Sequence, residues 1–232
     1  MNSTLKNRKS LITAGPTWVA IDKVRVISSI SSGATGIAIA QEAKGHGAKV
    51  TLFLGPGSAV LSSQPAPAGA ARGGPGLPVA GLKIIKFRYF EELQRLLKDE
   101  LRRRYDIIIH AAAVSDYRPV KSLSGKIGSS ARSLTIRMQK TPKLLGVIRK
   151  RAARAFVVMF KLEAGRSGPG LINTAYKAML AAGADMVVAN NVEDVSENKH
   201  RAYIVDPEKN VIEAGTNRIL AKRLLEEIGK RL

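Results

Sequence analysis

Residues 36–54 read GIAIAQEAKGHGAKVTLFL, and this segment contains a helix pattern followed directly by a strand pattern. Apolar residues recur at helical spacing from Gly36 to Gly45, where the glycine marks the end of the helix. The run AKVTLFL at 48–54 predicts a buried strand, as does SLITA at 10–14. Strand, glycine-containing turn, helix and strand form a βαβ unit, which implies a parallel sheet with a right-handed crossover.

The later segments extend this alternation of strands and helices. Strands are predicted at 82–87, 106–110, 156–160 and 185–189, helices at 89–104, 142–154, 171–182 and 219–232, and a terminal hairpin at 201–205 and 210–214. We therefore expect a single α/β domain over residues 1–232, with a Rossmann-like, mostly parallel sheet and helices on both faces. Segment 55–80, rich in Gly, Pro and Ala, is interpreted as a loop insertion, and segment 117–139 predicts a β-flap or dimerisation arm.

Composition narrows the class of protein. The 38 basic and 18 acidic side chains give a net charge of +20, which favours anionic partners. The chain has no cysteine, so a disulfide framework and a thiolate metal site are excluded. The apolar runs are too short to span a bilayer, and no nucleic-acid-binding motif is present. The polar first ten residues lack a signal-peptide core, so a cytoplasmic location is predicted.

Small and polar residues follow several of the predicted strands. In open α/β sheets the carboxyl ends of the strands are where ligands bind. The segment SSGATG at 31–36 opens a helix there, and Gly33 and Gly36 would let the backbone approach a phosphate. An ordinary serine cap on the helix would give the same pattern.

Other polar residues near strand ends each have two interpretations. Asp116, after the small-residue run AAAVS, could hold a hydroxyl, an amide or Mg²⁺, or could cap a turn. Lys126 and Lys161 could contact phosphate or be ordinary surface lysines. Asn190 suits recognition of a base or ribose, or an Asx turn. The three histidines are scattered along the sequence, so no Ser–His–Asp set is expected.

The motifs LITAGPT, IDKVRVIS, SSGATG, HAAAVSDYRPV, GKI, KTPKLL, FKLE and ADMVVANN follow one another along nearly the whole chain. In this order they resemble the phosphopantothenate–cysteine ligase family, in the stand-alone form that lacks a flavin-dependent decarboxylase domain. The resemblance implies that a nucleoside triphosphate activates the carboxylate of 4′-phosphopantothenate as an acyl-nucleotide, which the amine of cysteine then attacks. It also implies Mg²⁺, CTP or ATP as co-substrate, and a homodimer; the sequence does not distinguish CTP from ATP and assigns no metal ligands.

The resemblance also implies roles for particular residues. Nucleotide-binding residues are Gly15, Ser31, Gly33, Gly36, Phe160 and Asn190. Lys161 is assigned to the same group because it lies in a polar context where it could contact phosphate. Phosphopantothenate-binding residues are Ala112, Ala113 and Asp116, together with Arg25 supplied by the neighbouring subunit. Lys126, Ser29 and Asp116 are the expected catalytic residues.

Three positions depart from the family pattern, and the lysine-rich flap motif of the family is reduced to Gly-Lys-Ile-Gly at 125–128. Ser29 stands where the family has asparagine, Met159 where it has glycine, and Asn217 where it has lysine, a charge that Arg218 or Lys222 could replace. The departures at Ser29 and Asn217 motivate an alternative, a catalytically weak relative that binds phosphopantothenate or nucleotide as a sensor or partner subunit. A third reading, a Rossmann-type NAD(P) oxidoreductase, is disfavoured because SSGATG is not GxGxxG and the second strand does not end in an acidic residue.

Overall fold

The first strand, β1 (Lys9–Ala14), lies inside the sheet, and every residue after Lys9 is buried. The computed structural model describes residues 5–58, 82–128, 130, 132–195 and 200–232. Of the expected insertion at 55–80, residues 59–80 therefore lie outside the described residues. Within the described ranges, no helix combines the length and hydropathy that crossing a bilayer needs.

The strands alternate with helices along the chain, as the sequence predicts. After β1 come β2 (Trp18–Ala20), β3 (Val26–Ser28), α1 (Ala34–Gly45), β4 (Lys49–Leu54), β5 (Lys83–Lys86), α2 (Phe90–Glu100), β6 (Ile107–His110), β7 (Tyr117–Pro119), β8 (Met138–Lys140), α3 (Leu144–Arg151), β9 (Phe156–Glu163), α4 (Gly168–Ala182), β10 (Met186–Val195), β11 (His200–Val205), β12 (Val211–Ala214) and α5 (Asn217–Gly229).

The main sheet has eight strands in the order β12-β11-β10-β9-β6-β1-β4-β5. The strands from β10 to β5 pair in parallel, while β11 runs antiparallel to both of its neighbours. The predicted Rossmann-like class and the terminal hairpin are therefore confirmed.

Two apolar cores lie on opposite faces of this sheet. Ile12 packs with α1 and α5 on one face, and Leu11 packs with α2, α3 and α4 on the other, because neighbouring strand residues point in opposite directions. Burial on both faces explains why the strands read as nearly continuous apolar runs. The parallel pairing of the strands brings the carboxyl ends of β1, β4, β6, β9 and β10 to one edge of the sheet.

The structure differs from the predicted elements in several places. Strands β9 and β10 run to Glu163 and Val195, beyond their predicted ends at 160 and 189. Helix α2 ends at Glu100, and the arginines at 102–104 lie in the exposed turn that leads to the buried Tyr105. The hairpin β2–β3 was not expected from the sequence. The flap has strands only at its base, where β7 pairs with β8. The alternating run SLTIRM at 133–138 stays irregular up to Met138, because no described neighbouring strand pairs with it.

Candidate active site

A cluster of glycines lies where the ends of β1 and β4 meet the start of α1. We call Gly15, Gly33, Gly36 and Gly55 the glycine cradle. Gly33 has a φ of +68°, and a Cβ built there would lie 3.1 Å from the backbone N of Gly15. A Cβ on Gly36 would lie 2.6 Å from the Cβ of Ala14, at the end of β1. Larger residues would therefore push the helix start away from the strand.

The start of α1 is open rather than capped by a serine side chain. The N-cap residue is Gly33, and the hydroxyls of Ser31 and Ser32 accept weak hydrogen bonds from the N–H groups of Gly33 (3.3 Å) and Ala34 (3.4 Å). In the described chain, no acceptor pairs with the N–H groups of Thr35 and Gly36. Unpaired N–H groups and the positive end of the helix dipole favour an anion at this place.

Helix α5 begins beside the same helix start. The hydroxyl of Thr35 donates a 2.7 Å hydrogen bond to the amide oxygen of Asn217, the position where the family pattern has lysine. Thr216 caps α5 by accepting the N–H of Ile219. Arg218 and Lys222, the two candidate replacements for that lysine, are exposed on α5. Whether either contacts a ligand stays a prediction.

The loop after β6 joins the loop after β1 along the backbone. Ala113 donates its N–H to the carbonyl of Gly15 (2.9 Å), and Thr17 donates its N–H to the carbonyl of Ala113 (3.2 Å). Ala112 and Ala113 are both partly exposed. The structure therefore places these two predicted phosphopantothenate-binding residues next to the glycine cradle.

Buried hydroxyls hold these two loops together. The Thr17 hydroxyl accepts the N–H of Ser115 (3.0 Å), and the Thr141 hydroxyl donates to the carbonyl of Ser115 (2.7 Å). All three residues are at most 8% exposed. Buried hydroxyls that are fully used in this way fix a loop rather than contact a ligand. None of these three residues was predicted from the sequence to belong to the site.

Asp116 lies at the outer end of this loop and forms an ion pair with Lys143. The Lys143 Nζ is 2.5 Å from the Asp116 Oδ1, and both side chains are largely exposed. The pair is therefore accessible to an incoming anionic or polyhydroxylated ligand. Among the described residues, no group of three side chains has the composition and spacing of a metal site, so Asp116 is a single carboxylate that could join a metal carried by phosphates.

His110 lies under the same loops, although the sequence analysis treated the histidines as scattered. Its Nδ1 is 2.8 Å from the hydroxyl of Thr13, which also accepts the N–H of Ala112. Burial lowers the pKa of His110 from 6.5 to about 4. The imidazole is therefore neutral at physiological pH, and it can exchange hydrogen bonds but adds no positive charge.

The residues predicted at the nucleoside lie within β9 and β10 rather than after them. Phe160 packs against the core on the α1–α5 face, and Asn190, two residues after the buried Val188 of that core, lies on the same face. Lys161 lies on the opposite face and forms a 3.0 Å ion pair with Glu163. Met159 packs toward α2–α4, so it does not crowd Phe160. The nucleotide role of Lys161 stays a prediction.

The remaining predicted residues lie on a separate unit, which we call the arm: the hairpin β2–β3 and the flap from β7 to β8. Arg25 forms an ion pair with Asp22 in the hairpin turn. Lys126 is exposed in the flap, and Ser29 is exposed just after β3. Residues with large exposed apolar side chains concentrate on or beside this arm: Val24, Val26, Ile27, Ile30, Tyr117, Val120, Leu123 and Leu134.

Comparison with known proteins identifies the family. Residues 5–232 match the family described as "DNA/pantothenate metabolism flavoprotein C-terminal domain". The chain is 33% identical over 231 residues to the "Coenzyme A biosynthesis bifunctional protein CoaBC" of Thermococcus kodakarensis, covering 99% of this chain and 53% of that protein. It thus spans about half the length of the curated relatives it matches.

Solved structures share the fold. The DNA/pantothenate metabolism flavoprotein of Streptococcus pneumoniae superimposes with a TM-score of 0.82 at 24% identity, covering 97% of this chain and 100% of that one. A Cab2 mutant, H337A, in complex with phosphopantothenate-cysteine superimposes with a TM-score of 0.76 at 18% identity, covering 97% of this chain and 87% of that one. The chain belongs to the family of DNA/pantothenate metabolism flavoprotein C-terminal domains.

Proposed function

We propose that the chain is a phosphopantothenate–cysteine ligase that acts in coenzyme A biosynthesis. The observation that carries this proposal is the contact between the glycine cradle and the Ala112–Ala113 loop. The two loops share one edge of the sheet, so a nucleotide on the cradle would lie beside a substrate on the loop. The names of the relatives, one in coenzyme A biosynthesis and one bound to phosphopantothenate-cysteine, support the same substrate class.

The reaction proceeds in two steps. A carboxylate oxygen of 4′-phosphopantothenate attacks the α-phosphorus of CTP or ATP, and pyrophosphate leaves. The cysteine nitrogen then attacks the acyl carbon, the nucleoside monophosphate leaves, and an amide forms. The open N–H groups at the start of α1 would stabilise the phosphates, and Lys126 would stabilise negative charge that develops at the acyl centre. Mg²⁺ would neutralise the triphosphate, with Asp116 as its candidate protein ligand.

A homodimer is part of this proposal. The apolar residues exposed on the arm, including Val24 at 63% and Leu134 at 53%, resemble the buried core of an interface more than an ordinary surface. A second copy of the chain would cover them and would bring the partner's arm near the sheet edge. Replacing both Val24 and Leu123 with Lys should yield a monomer in sedimentation analysis, whereas the same change at two exposed α5 positions should not.

The departures at Ser29 and Asn217 favour one alternative, a sensor or partner subunit that binds the same ligands without turnover. An oxidoreductase fits less well, because β4 ends at Leu54 and Gly55 follows it, so no acidic residue stands there for ribose recognition. A cytoplasmic location stays a prediction made from the sequence.

The test is direct. Purified protein is incubated with 4′-phosphopantothenate, cysteine, Mg²⁺ and either CTP or ATP, and both pyrophosphate and the amide product are measured. We expect equal amounts of the two products, with omission of phosphopantothenate abolishing both. If the protein binds these ligands but releases no pyrophosphate from either nucleotide, the ligase proposal fails and the sensor or partner subunit remains. Binding of NADPH in place of these ligands would favour the oxidoreductase.

A further inference from the structure

Asp22 is the buried carboxylate of the arm, and none of the expected roles uses it. Its side chain is 0% exposed, although it lies in the turn of the β2–β3 hairpin. Oδ1 accepts the N–H groups of Val24 (2.8 Å) and Arg25 (2.7 Å), which shapes the turn. Oδ2 accepts the Arg25 guanidinium (2.9 Å) and, across the arm, the N–H of Ile127 (3.0 Å).

The same turn contacts both sides of Lys126. Arg25 donates from both terminal nitrogens to the carbonyl of Ile127, each at 3.2 Å. Lys23 donates its N–H to the carbonyl of Gly125 at 3.5 Å. Among the described residues, segment 124–136 forms hydrogen bonds outside itself only with the turn at 22–25. The turn at 22–25 thus fixes the backbone on either side of Lys126, whose side chain has no partner among the described residues.

We propose that Asp22 is a positioning residue that joins Arg25 and Lys126 into one unit serving one active site. The proposal rests on the proposed function, because it takes Lys126 and Arg25 as groups that meet the reacting molecules. Asp22 itself contacts no substrate: it aligns the guanidinium through Oδ2 and holds the flap through the N–H of Ile127. Misplacing a catalytic group by about 1 Å can cost about 10²-fold in rate.

The substitution Asp22→Asn separates the two functions of this carboxylate. The amide oxygen can still accept the N–H groups of Val24 and Arg25, so the turn is kept. The amide NH₂ then faces the Ile127 N–H and the Arg25 guanidinium, which are donors, and neither can pair with it. The flap should therefore loosen while the hairpin and the glycine cradle stay intact.

The matched control is Asp206→Asn, at the other end of the sheet. Asp206 is also a buried carboxylate, 3% exposed, in the turn between β11 and β12. It accepts the N–H of Asn210 (2.7 Å) and the guanidinium of Arg231 (2.7 Å). Asp206→Asn perturbs a similar buried carboxylate–arginine pair away from the arm, so it measures the effect of lost folding stability without a change at the flap.

The experiment measures hydrogen exchange of the flap at Ile127 together with kcat and the nucleotide KM of the full chain. We expect Asp22→Asn to speed exchange at Ile127 and to lower kcat by about 10- to 100-fold, with the nucleotide KM within about twofold of wild type. Asp206→Asn should change neither exchange at Ile127 nor kcat.

Two results would overturn the proposal. One is unchanged exchange at Ile127 in Asp22→Asn, which would show that the carboxylate does not hold the flap. The other is a loosened flap with the same kcat as Asp206→Asn, which would show that holding the flap does not matter for the reaction. If the wild-type chain makes no amide product, the proposed function fails, and the exchange measurement still decides whether Asp22 holds the flap.

Discussion

The glycine cradle and the arm are built in opposite ways. The cradle lies on buried strands, and close backbone packing around Gly15, Gly33 and Gly36 fixes its shape. The arm carries exposed apolar side chains, and its hairpin turn is joined to the flap by polar contacts around Asp22. Under the proposed function, the cradle would be preformed for the nucleotide, while the arm would depend on a partner surface and on the buried carboxylate of Asp22.

The substitution Gly33→Asp should have the largest effect, and it acts on the cradle. Asp tolerates a positive φ and suits a helix N-cap, and the crowding of its Cβ against Gly15 is the same in the isosteric Gly33→Asn. Its negative charge at the open helix start should weaken nucleotide binding by about 10³-fold, because charges a few ångströms apart in a partly buried site interact strongly. Titration calorimetry with CTP and ATP checks this, with the uncharged Gly33→Asn as control. Equal loss in both variants would mean that sterics, not charge, dominates.

The substitution Lys126→Ala tests the arm in the same way. We expect kcat to fall about 10²-fold with the nucleotide KM unchanged, because in the proposed mechanism Lys126 stabilises charge at the acyl centre and does not bind the nucleotide. Lys121→Ala, on the same flap and equally exposed, is the control. A higher KM at constant kcat would instead place Lys126 among the binding residues.

The two regions should also respond differently to pH. The unfolded chain binds a proton at His110 below pH 6.5, but the folded chain does so only below about 4. Folding stability should therefore fall as the pH drops from 6.5 to 4, by roughly 2 kcal/mol after allowance for partial exposure. Urea unfolding of wild type and His110→Gln should show the difference between them shrinking over this window. Parallel curves would contradict a buried neutral histidine.

The carboxylate of the arm also loses its stabilising effect as the pH falls, but in a lower pH window than His110. Its hydrogen bond from the N–H of Ile127 is the largest factor that lowers the pKa of Asp22 below 3.8. The stability that Asp22 contributes is therefore present above pH 3.8 and is lost only as the pH falls through the lower folded value. Flap exchange at Ile127 should stay slow through the window in which His110 titrates.

The smallest effect is expected from Ser29→Asn. Ser29 is exposed and replaces an asparagine of the family pattern, so restoring the amide should keep or raise kcat, by about threefold at most. Steady-state ligation assays check this. Complete loss of activity would show that the loop after β3 is arranged differently from the family.

The sequence predicts the glycine cradle and its buried strands better than the arm. Strands buried on both faces give continuous apolar runs, and helices give regular spacing, so β1, α1 and β4 follow from composition and periodicity. The hairpin β2–β3 does not, because its residues are partly exposed and its short strands carry no clear alternation. The irregular flap depends on contacts that are distant in sequence, such as Asp22 with Ile127.

The residues of the candidate site divide in the same way: some were predicted from the sequence and others were missed. Gly33 and Ala113 were predicted from local motifs, and the structure brings their loops together. Gly55, Ser115 and Thr141 were missed, because small residues and buried hydroxyls acquire their roles only through packing. His110 could have been found from its place at the end of a buried strand. Lys161 was predicted from its polar context, and strand alternation puts it on the face opposite Phe160.

The most direct test of the account is whether the cradle of one subunit works with the arm of another. Gly33→Asp disables the cradle and Arg25→Ala disables the arm, so each homodimer should ligate poorly. After unfolding and refolding together in equal amounts, half of the dimers should be mixed, each with one intact site. The account predicts that amide formation recovers to about one quarter of the wild-type rate. Recovery no greater than the sum of the two separate variants would contradict a site shared between subunits.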